Sequence, residues 1–282
     1  MYADCHIHMV LDGQNWKAAI ARHRDAPDIP WIRRTLARYQ ALGCVYLRDG
    51  GDRWGVGAAA RRLAPEYGIR YRTPLAPLYC RGHYGSFLGE SFETAGEFAA
   101  LVAQHRENGA DFIKIMISGL MDFRQLGVLT EPGLPPEQIA ELIHIAHAEG
   151  FSVMVHANGA RTVTAAAAAG ADSVEHGAYL DSEALAAMQA AGTVWVPTLS
   201  TVGNLRGTGR FPEQAVSQIL ASAQASVAAF AAMGGRIAPG TDAGAWGVPH
   251  GSVTEVPLLR QALGADTEGI LSLGLRAIRE KF

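Results

Sequence analysis

The sequence is short of the features that mark several protein classes. It has only three cysteines, Cys5, Cys44 and Cys80, an odd number at wide spacing, which excludes a disulfide framework and fits a reducing compartment. Lys and Arg total 24 against 27 Asp and Glu, so there is no basic excess with which to neutralise phosphates, and nucleic acid is not expected as a partner. The start, MYADCHIHMV, lacks a basic segment followed by an apolar run of secretory length, and no uninterrupted stretch of 18 apolar residues occurs. The expectation is a soluble, cytoplasmic protein without membrane contact.

What is present is globular: 282 residues, 30.0 kDa, 49% hydrophobic, with 32 glycines. Short apolar runs alternate with helical patterns, the signature of βαβ units and a parallel sheet. The expected strands are Tyr2 to His8, Cys44 to Arg48, Arg70 to Pro77, Phe112 to Ile117, Ser152 to His156, Ser173 to His176, Thr193 to Pro197 and Arg236 to Thr241.

Between the strands the pattern predicts helices at Trp31 to Leu42, Trp54 to Tyr67, Thr94 to Asn108, Pro136 to Glu149, Arg161 to Ala169, Ser182 to Ala191, Pro212 to Met233 and Val253 to Ala262. Several end in Gly43, Gly109, Gly150, Gly170 or Gly192, where glycine supplies a left-handed cap. Eight such units predict an α/β fold, a single (β/α)8 TIM-like barrel over residues 1–282. The longest loops, Met9 to Pro30, Leu78 to Glu93, Ser118 to Leu134 and Leu199 to Phe211, all follow strands. They gather at the face where active sites of this fold sit. The glycine-rich stretch Gly203 to Gly209 reads either as a mobile lid or as an ordered turn.

Candidate chemistry sits at strand ends. His6 and His8 close the first strand two residues apart, so both imidazoles face the barrel mouth and can share one metal ion. Cys5, which precedes His6 and has the opposite strand parity, is expected to face the surrounding helices. Lys114 is one of only three lysines, against 21 arginines, and lies inside an apolar strand. A buried ammonium needs a reason. It is either paired with an aspartate, or its pKa is lowered enough to react with carbon dioxide and give a metal-bridging carbamate. His156 and His176 end two further strands, and Asp242 follows the eighth. Nitrogen and oxygen ligands without cysteine suit Zn2+ or another first-row divalent ion. His23, His105, His144 and His147 read as structural or surface groups, and His250 as either a pocket residue or a loop residue.

In order and position, Asp4-Cys5-His6-Ile7-His8, Lys114, His156, His176 and Gly240-Thr241-Asp242-Ala243-Gly244 resemble the amidohydrolase superfamily, in its binuclear, carboxylated-lysine subtype. Ile113 to Gly119, His156 to Gly159 and Ser173 to Asp181 are most similar to its Xaa-Pro dipeptidase and imidazolonepropionase branch. The resemblance implies that His6, His8 and Asp242 hold one ion and that His156 and His176 hold the second, with carboxylated Lys114 bridging them. The ions are expected to be Zn2+, with Mn2+, Fe2+ or Co2+ as alternatives.

The implied reaction is hydrolysis, by a metal-bridging hydroxide, of an amide, cyclic amide or short peptide C–N bond in a small molecule, with Asp242 as the proton shuttle. His83, in Tyr79-Cys80-Arg81-Gly82-His83-Tyr84-Gly85, is similar to a histidine of that branch that polarises the substrate carbonyl. Arg81 and Tyr179 are candidates for a substrate carboxylate. The competing readings are a lactonase or esterase on the same metals, a deaminase, and a non-catalytic metal- or ligand-binding barrel. The deaminase is disfavoured because Ala157-Asn158-Gly159, not a glutamate, follows His156. A homo-oligomer is open. The small β-sandwich carried by many members of the branch is not expected.

Overall fold

The computed structural model describes residues 2–282. In chain order the elements are β1 (Tyr2–Ile7), α1 (Trp16–Arg22), α2 (Ile29–Ala41), β2 (Cys44–Asp49), α3 (Val56–Leu63), β3 (Arg70–Arg72), β4 (Leu78–Cys80), β5 (Glu90–Phe92), α4 (Ala95–Glu107), β6 (Ile113–Met116), α5 (Pro136–Ala148), β7 (Val153–Ala157), α6 (Ala160–Ala168), β8 (Ser173–His176), α7 (Ser182–Ala191), β9 (Val194–Val196), α8 (Ser200–Gly203), α9 (Glu213–Ala232), β10 (Arg236–Ile237), α10 (Glu255–Leu263) and α11 (Thr267–Lys281).

Every strand pair is parallel, in a three-stranded run β1-β2-β3 and a seven-stranded run β10-β9-β8-β7-β6-β4-β5. Two junctions close these runs into an α/β TIM-like barrel of eight staves. At one, the Asp111 amide donates to the Thr73 carbonyl (3.0 Å). At the other, Cys5 N donates to Pro239 O, Asp242 N to His6 O and His8 N to Ala243 O, at 2.7–2.8 Å.

Helix starts follow from capping chemistry. The side chains of Asp28, Thr94 and Asp181 accept from the amides of Trp31, Glu97 and Ala184 at the starts of α2, α4 and α7. The five predicted glycine caps all have positive φ. The outer faces of the staves bury Trp195 and Ile237 against Phe230, Val227 and their neighbours on the helices, each side chain contributing about 1.5–3 kcal/mol. The long apolar helix α9 meets the length and composition of a membrane span. In this fold it lies along α7, α8 and α10 with Val216, Ile219, Leu220, Val227 and Phe230 buried.

Three expectations need correction. The strand expected at Arg70 to Pro77 breaks after Arg72, because Pro74 and Pro77 have no N–H to donate and Leu75 is left-handed (φ 69°). The stave resumes as β4, so the expected loop Leu78 to Glu93 carries β4 and its partner β5. Cys5 does not face the helices. The β1 register shifts between Asp4 and Ile7, and Cys5 joins the cluster of Tyr46, Phe112, Met154, Val194 and Val196 inside the barrel. Helices α1, α8 and α11 are not among those the pattern predicts. The end of α11 closes the barrel floor, where Phe282 packs edge-on against Phe112 (5.1 Å between centroids) and lies 4.4 Å from the Arg48 guanidinium.

Candidate metal centre

Strand alternation aims Tyr46 and Arg48, Phe112 and Lys114, Met154 and His156, and Ser173 and Glu175 into the barrel. The same rule would turn His176 outward, but its backbone is left-handed (φ 67°) and swings the ring back over the mouth. Thr198 (φ 49°) and Asp242 (φ 59°) are held similarly. Left-handed non-glycine residues cost about 1–3 kcal/mol each and collect where the surrounding fold imposes them. Gly177 next to His176 is left-handed too (φ 64°), and a Cβ there would lie 2.5 Å from Trp195 Nε1, whose N–H donates to the His176 carbonyl (2.9 Å).

At the mouth, His6 Nε2 and His8 Nε2 are 3.4 Å apart, and Asp242 Oδ1 lies 3.5 Å and 3.2 Å from them. Lys114 Nζ is 3.1 Å from His6 Nε2. Ligands about 2.0–2.1 Å from a tetrahedral ion are about 3.3 Å from one another, which is the spacing found here. His6 Nδ1 meets the Glu175 carboxylate (2.7 Å) and so carries the proton, which leaves the Nε2 lone pair facing Asp242. Asp242 Oδ1 and His8 Nδ1 are buried without hydrogen-bond partners. An electron-rich, buried, unsatisfied arrangement of this kind fits a cation.

His156 and His176 face each other beside this group, with ring centroids 4.6 Å apart; the His176 and His6 rings are 5.1 Å apart. Each outer nitrogen is engaged. His176 Nδ1 meets the Thr198 hydroxyl at 2.8 Å, and His156 Nε2 faces the Gly119 carbonyl at 3.1 Å. That leaves one nitrogen on each ring for a second ion. Asn158 donates to the same carbonyl (2.9 Å) and accepts from the Ala178 amide (3.0 Å).

Burial pushes the imidazoles of His6 and His176 well below their ordinary range, and that of His156 down to about 3. All three are neutral, as metal ligation requires. Burial also pulls the Lys114 amine down to about 8, against the opposing charges of Glu175 and Asp242.

Beneath the histidines lies a charge network that the strand-end pattern does not single out. Arg48, fully buried, donates from Nη2 to Glu175 Oε1 (2.7 Å), from Nη1 to Ser173 Oγ (2.8 Å) and from Nε to the Cys5 carbonyl (2.8 Å). Ser173 donates to Glu175 at 2.6 Å. Their inward parity on β2 and β8 was the available signal. At the barrel seam, Asp4 accepts from the Thr241 amide and hydroxyl (2.8 and 2.6 Å), which fixes the turn into Asp242.

A cavity of about 540 Å3 opens above the centre, touching His8, His176 and Asp242 and walled by Trp16, Tyr84, Phe87, Phe123, Phe211 and Trp246. His83 does not line it. Its ring is partly exposed and 3.9 Å from Glu131, and the next residue, Tyr84, turns in instead to lie 4.9 Å from the His156 ring. The tight turns around Gly82 and Gly85 (φ 87° and 132°) set this order. Arg81 pairs with Glu93 (2.9 Å) on the surface, and Tyr179 is outside the lining. His250 is buried between the Tyr39 hydroxyl (3.0 Å) and the Leu11 carbonyl (2.9 Å), a structural group. His105 and His147 meet Glu90 and Asp172 (both 3.1 Å), and His23 accepts from the Asp28 amide. Gly203 ends α8, and residues 204–209 run through turns and bends, with Gly207 N bound to Glu213.

Comparison with known proteins adds the following. The model of the amidohydrolase family matches residues 59–267. Uncharacterized proteins of Mycobacterium tuberculosis and Mycobacterium bovis are 30% identical over 178 residues, 61% of this chain and 47% of theirs, so the chain spans about half the length of the curated relatives it matches. Among solved structures, a Xaa-Pro dipeptidase with bound methionine superposes with a TM-score of 0.78 at 23% identity, covering 99% of this chain and 75% of that one. The Aspergillus niger ochratoxinase does so with 0.77 at 21% identity, covering 98% and 70%. At these identities the likeness is one of fold.

Proposed function

The chain belongs to the amidohydrolase family, and on that premise we propose that it is a metal-dependent hydrolase that cleaves a C–N bond in an amide, cyclic amide or short peptide. The observation that carries this reading is the convergence of His6 Nε2, His8 Nε2 and Asp242 Oδ1, three potential ligand atoms 3.2–3.5 Å apart, with Asp242 Oδ1 buried and without a hydrogen-bond partner. His6, His8 and Asp242 would hold one divalent ion, and His156 and His176 a second. Lys114, once carboxylated, would bridge them.

When bound, the ions supply Lewis acidity and lower the pKa of water. The chain's own groups do the rest. Glu175 keeps the proton of His6 on Nδ1. Asp242, exposed to the cavity and facing both imidazoles, takes the proton of the attacking water and passes it to the leaving nitrogen. Lys114, whose amine is neutral in good part near pH 8, adds to carbon dioxide with loss of one proton.

The test is elemental analysis and native intact mass of protein purified in bicarbonate, followed by a screen of amides, cyclic amides, dipeptides and lactones. Two first-row ions per chain, a mass gain of one carbon dioxide lost in Lys114→Ala, and amide turnover are expected. Protein that holds no ion after reconstitution would overturn the proposal.

A further inference from the structure

The lining of the cavity narrows which amide can enter. Apart from the candidate ligands His8, His176 and Asp242, its only charged residue is Arg210. That guanidinium lies 3.8 Å from the centroid of Trp246 and 5.6 Å from that of Phe211. It forms no ion pair among the described residues, unlike its neighbours Arg206 and Arg124, which reach Glu213 (3.5 Å) and Asp122 (3.8 Å). An exposed guanidinium held over an aromatic face keeps N–H groups free to meet a planar anion.

The opposite charge is missing. The one carboxylate in the lining is Asp242, already turned to His6 and His8. The α-ammonium of an unblocked peptide would find no free carboxylate in the lining to pair with and would sit in the same cavity as the Arg210 guanidinium, a like charge. The remaining lining is dominated by Trp16, Phe87, Phe123, Phe211 and Trp246. Its volume of about 540 Å3 holds a molecule with a ring or a bulky apolar group.

We propose that this site takes amine-free amide acids: N-acylated amino-acid-like compounds with an aromatic or bulky apolar group, whose carboxylate is held by Arg210. The bond to be cut rests on the hydrolase reading; the binding preference does not.

The two can be tested separately. Trp16 and Trp246 line the cavity, so occupancy is read from tryptophan fluorescence of the metal-loaded full chain. The probes are N-benzoyl-L-phenylalanine, its neutral carboxamide, and the free-amine dipeptide L-phenylalanyl-L-phenylalanine. The acid should bind about tenfold or more tightly than either of the others. Arg210→Met should erase that preference while leaving carboxamide binding within about twofold, and Arg210→Lys should keep part of it.

Equal binding of the three probes, no binding of any, or an acid preference that survives in Arg210→Met would each overturn the proposal. Turnover of any amide in those cases would leave the hydrolase reading intact. Preferential binding of the acid without hydrolysis of any amide would uphold the binding preference and sink the hydrolase reading instead.

Discussion

The Glu175 carboxylate accepts the Nδ1 proton of His6 at 2.7 Å while its other oxygen is held by Arg48 at 2.7 Å, so a fully buried ion pair sets which nitrogen of His6 faces His8 and Asp242. Removing the acceptor frees the imidazole to rotate or change tautomer. It also leaves the Arg48 guanidinium buried and uncompensated.

Glu175→Ala is therefore expected to weaken metal affinity by about 10- to 100-fold and to lower stability by about 3–5 kcal/mol. Competitive chelator titration and denaturant unfolding measure the two. Metal affinity within twofold of the parent protein would show that Glu175 does not position His6.

Lys114→Met should remove the bridging group while keeping the stem's volume in the apolar interior. Turnover is expected to fall at least about a hundredfold, a loss of about 3 kcal/mol of transition-state stabilisation. Because burial brings the amine to about 8, bicarbonate-depleted parent protein should reactivate faster as the pH rises from 7 to 9 when the concentration of dissolved carbon dioxide is held constant. A rate independent of pH across that window, or reactivation of the Met variant, would contradict the carboxylation.

Tyr84 and His83 separate cleanly. Tyr84→Ala takes away the ring that lies against His156 and part of the cavity wall, and a rise in KM of about tenfold is expected, the size of losing one aromatic packing contact. His83→Ala, outside the cavity lining, should leave kcat and KM within about twofold, as surface substitutions do. Steady-state kinetics on any amide that the screen identifies decides between them.

Gly50 sits under His8, and a Cβ there would lie 2.3 Å from Cε1 of that ring. Gly50→Ala should push His8 off its position and reduce metal stoichiometry with the fold retained. Circular dichroism paired with elemental analysis reads both. Full metal content would show that the ring has room to yield.

His250 makes stability depend on pH. Burial, followed by the nearby Arg38 charge, depresses its pKa to about 4. The unfolded chain, with a histidine pKa near 6.5, then binds more protons than the folded chain between pH 6.5 and 4. Stability from this group is present above that window and lost as the pH falls through it, by up to about 3 kcal/mol. Denaturant unfolding of metal-free protein at pH 7 and 4.5 should show a smaller drop for His250→Gln than for the parent. Equal drops would place the dependence elsewhere.

His6, His8, Lys114 and His156 were legible because each lies in a short local pattern whose side-chain direction follows from strand geometry, whereas His176 and Asp242 were legible from their place at strand ends although left-handed backbones turn them inward. Arg48 and Glu175 were not singled out, since their meaning depends on meeting each other across the barrel, 127 residues apart. The broken third stave escaped notice because its Val-poor, proline-containing stretch still reads as extended. The left-handed Leu75 and its carbonyl, bound by the Asp52 amide at 2.7 Å, bend it away. Helix α1 is too short, at seven residues, to display a period. The inward turn of Tyr84 rather than His83 depends on glycine torsions that no spacing rule encodes.

The seam between the first and last staves has a mechanical meaning. Strand β10 is only two residues long, and the two edges meet through the few backbone bonds around His6 and Asp242, groups 236 positions apart in the chain. The candidate ligands straddle that join. A cation gripped by His6, His8 and Asp242 would act on the barrel as a buckle acts on a belt, fastening the loop of greatest contour length, for which closure entropy is largest. Its withdrawal would loosen the hoop at this one point, so amide exchange should accelerate first along β1 and β10, while the opposite wall of β6, β7 and β8 keeps its protection.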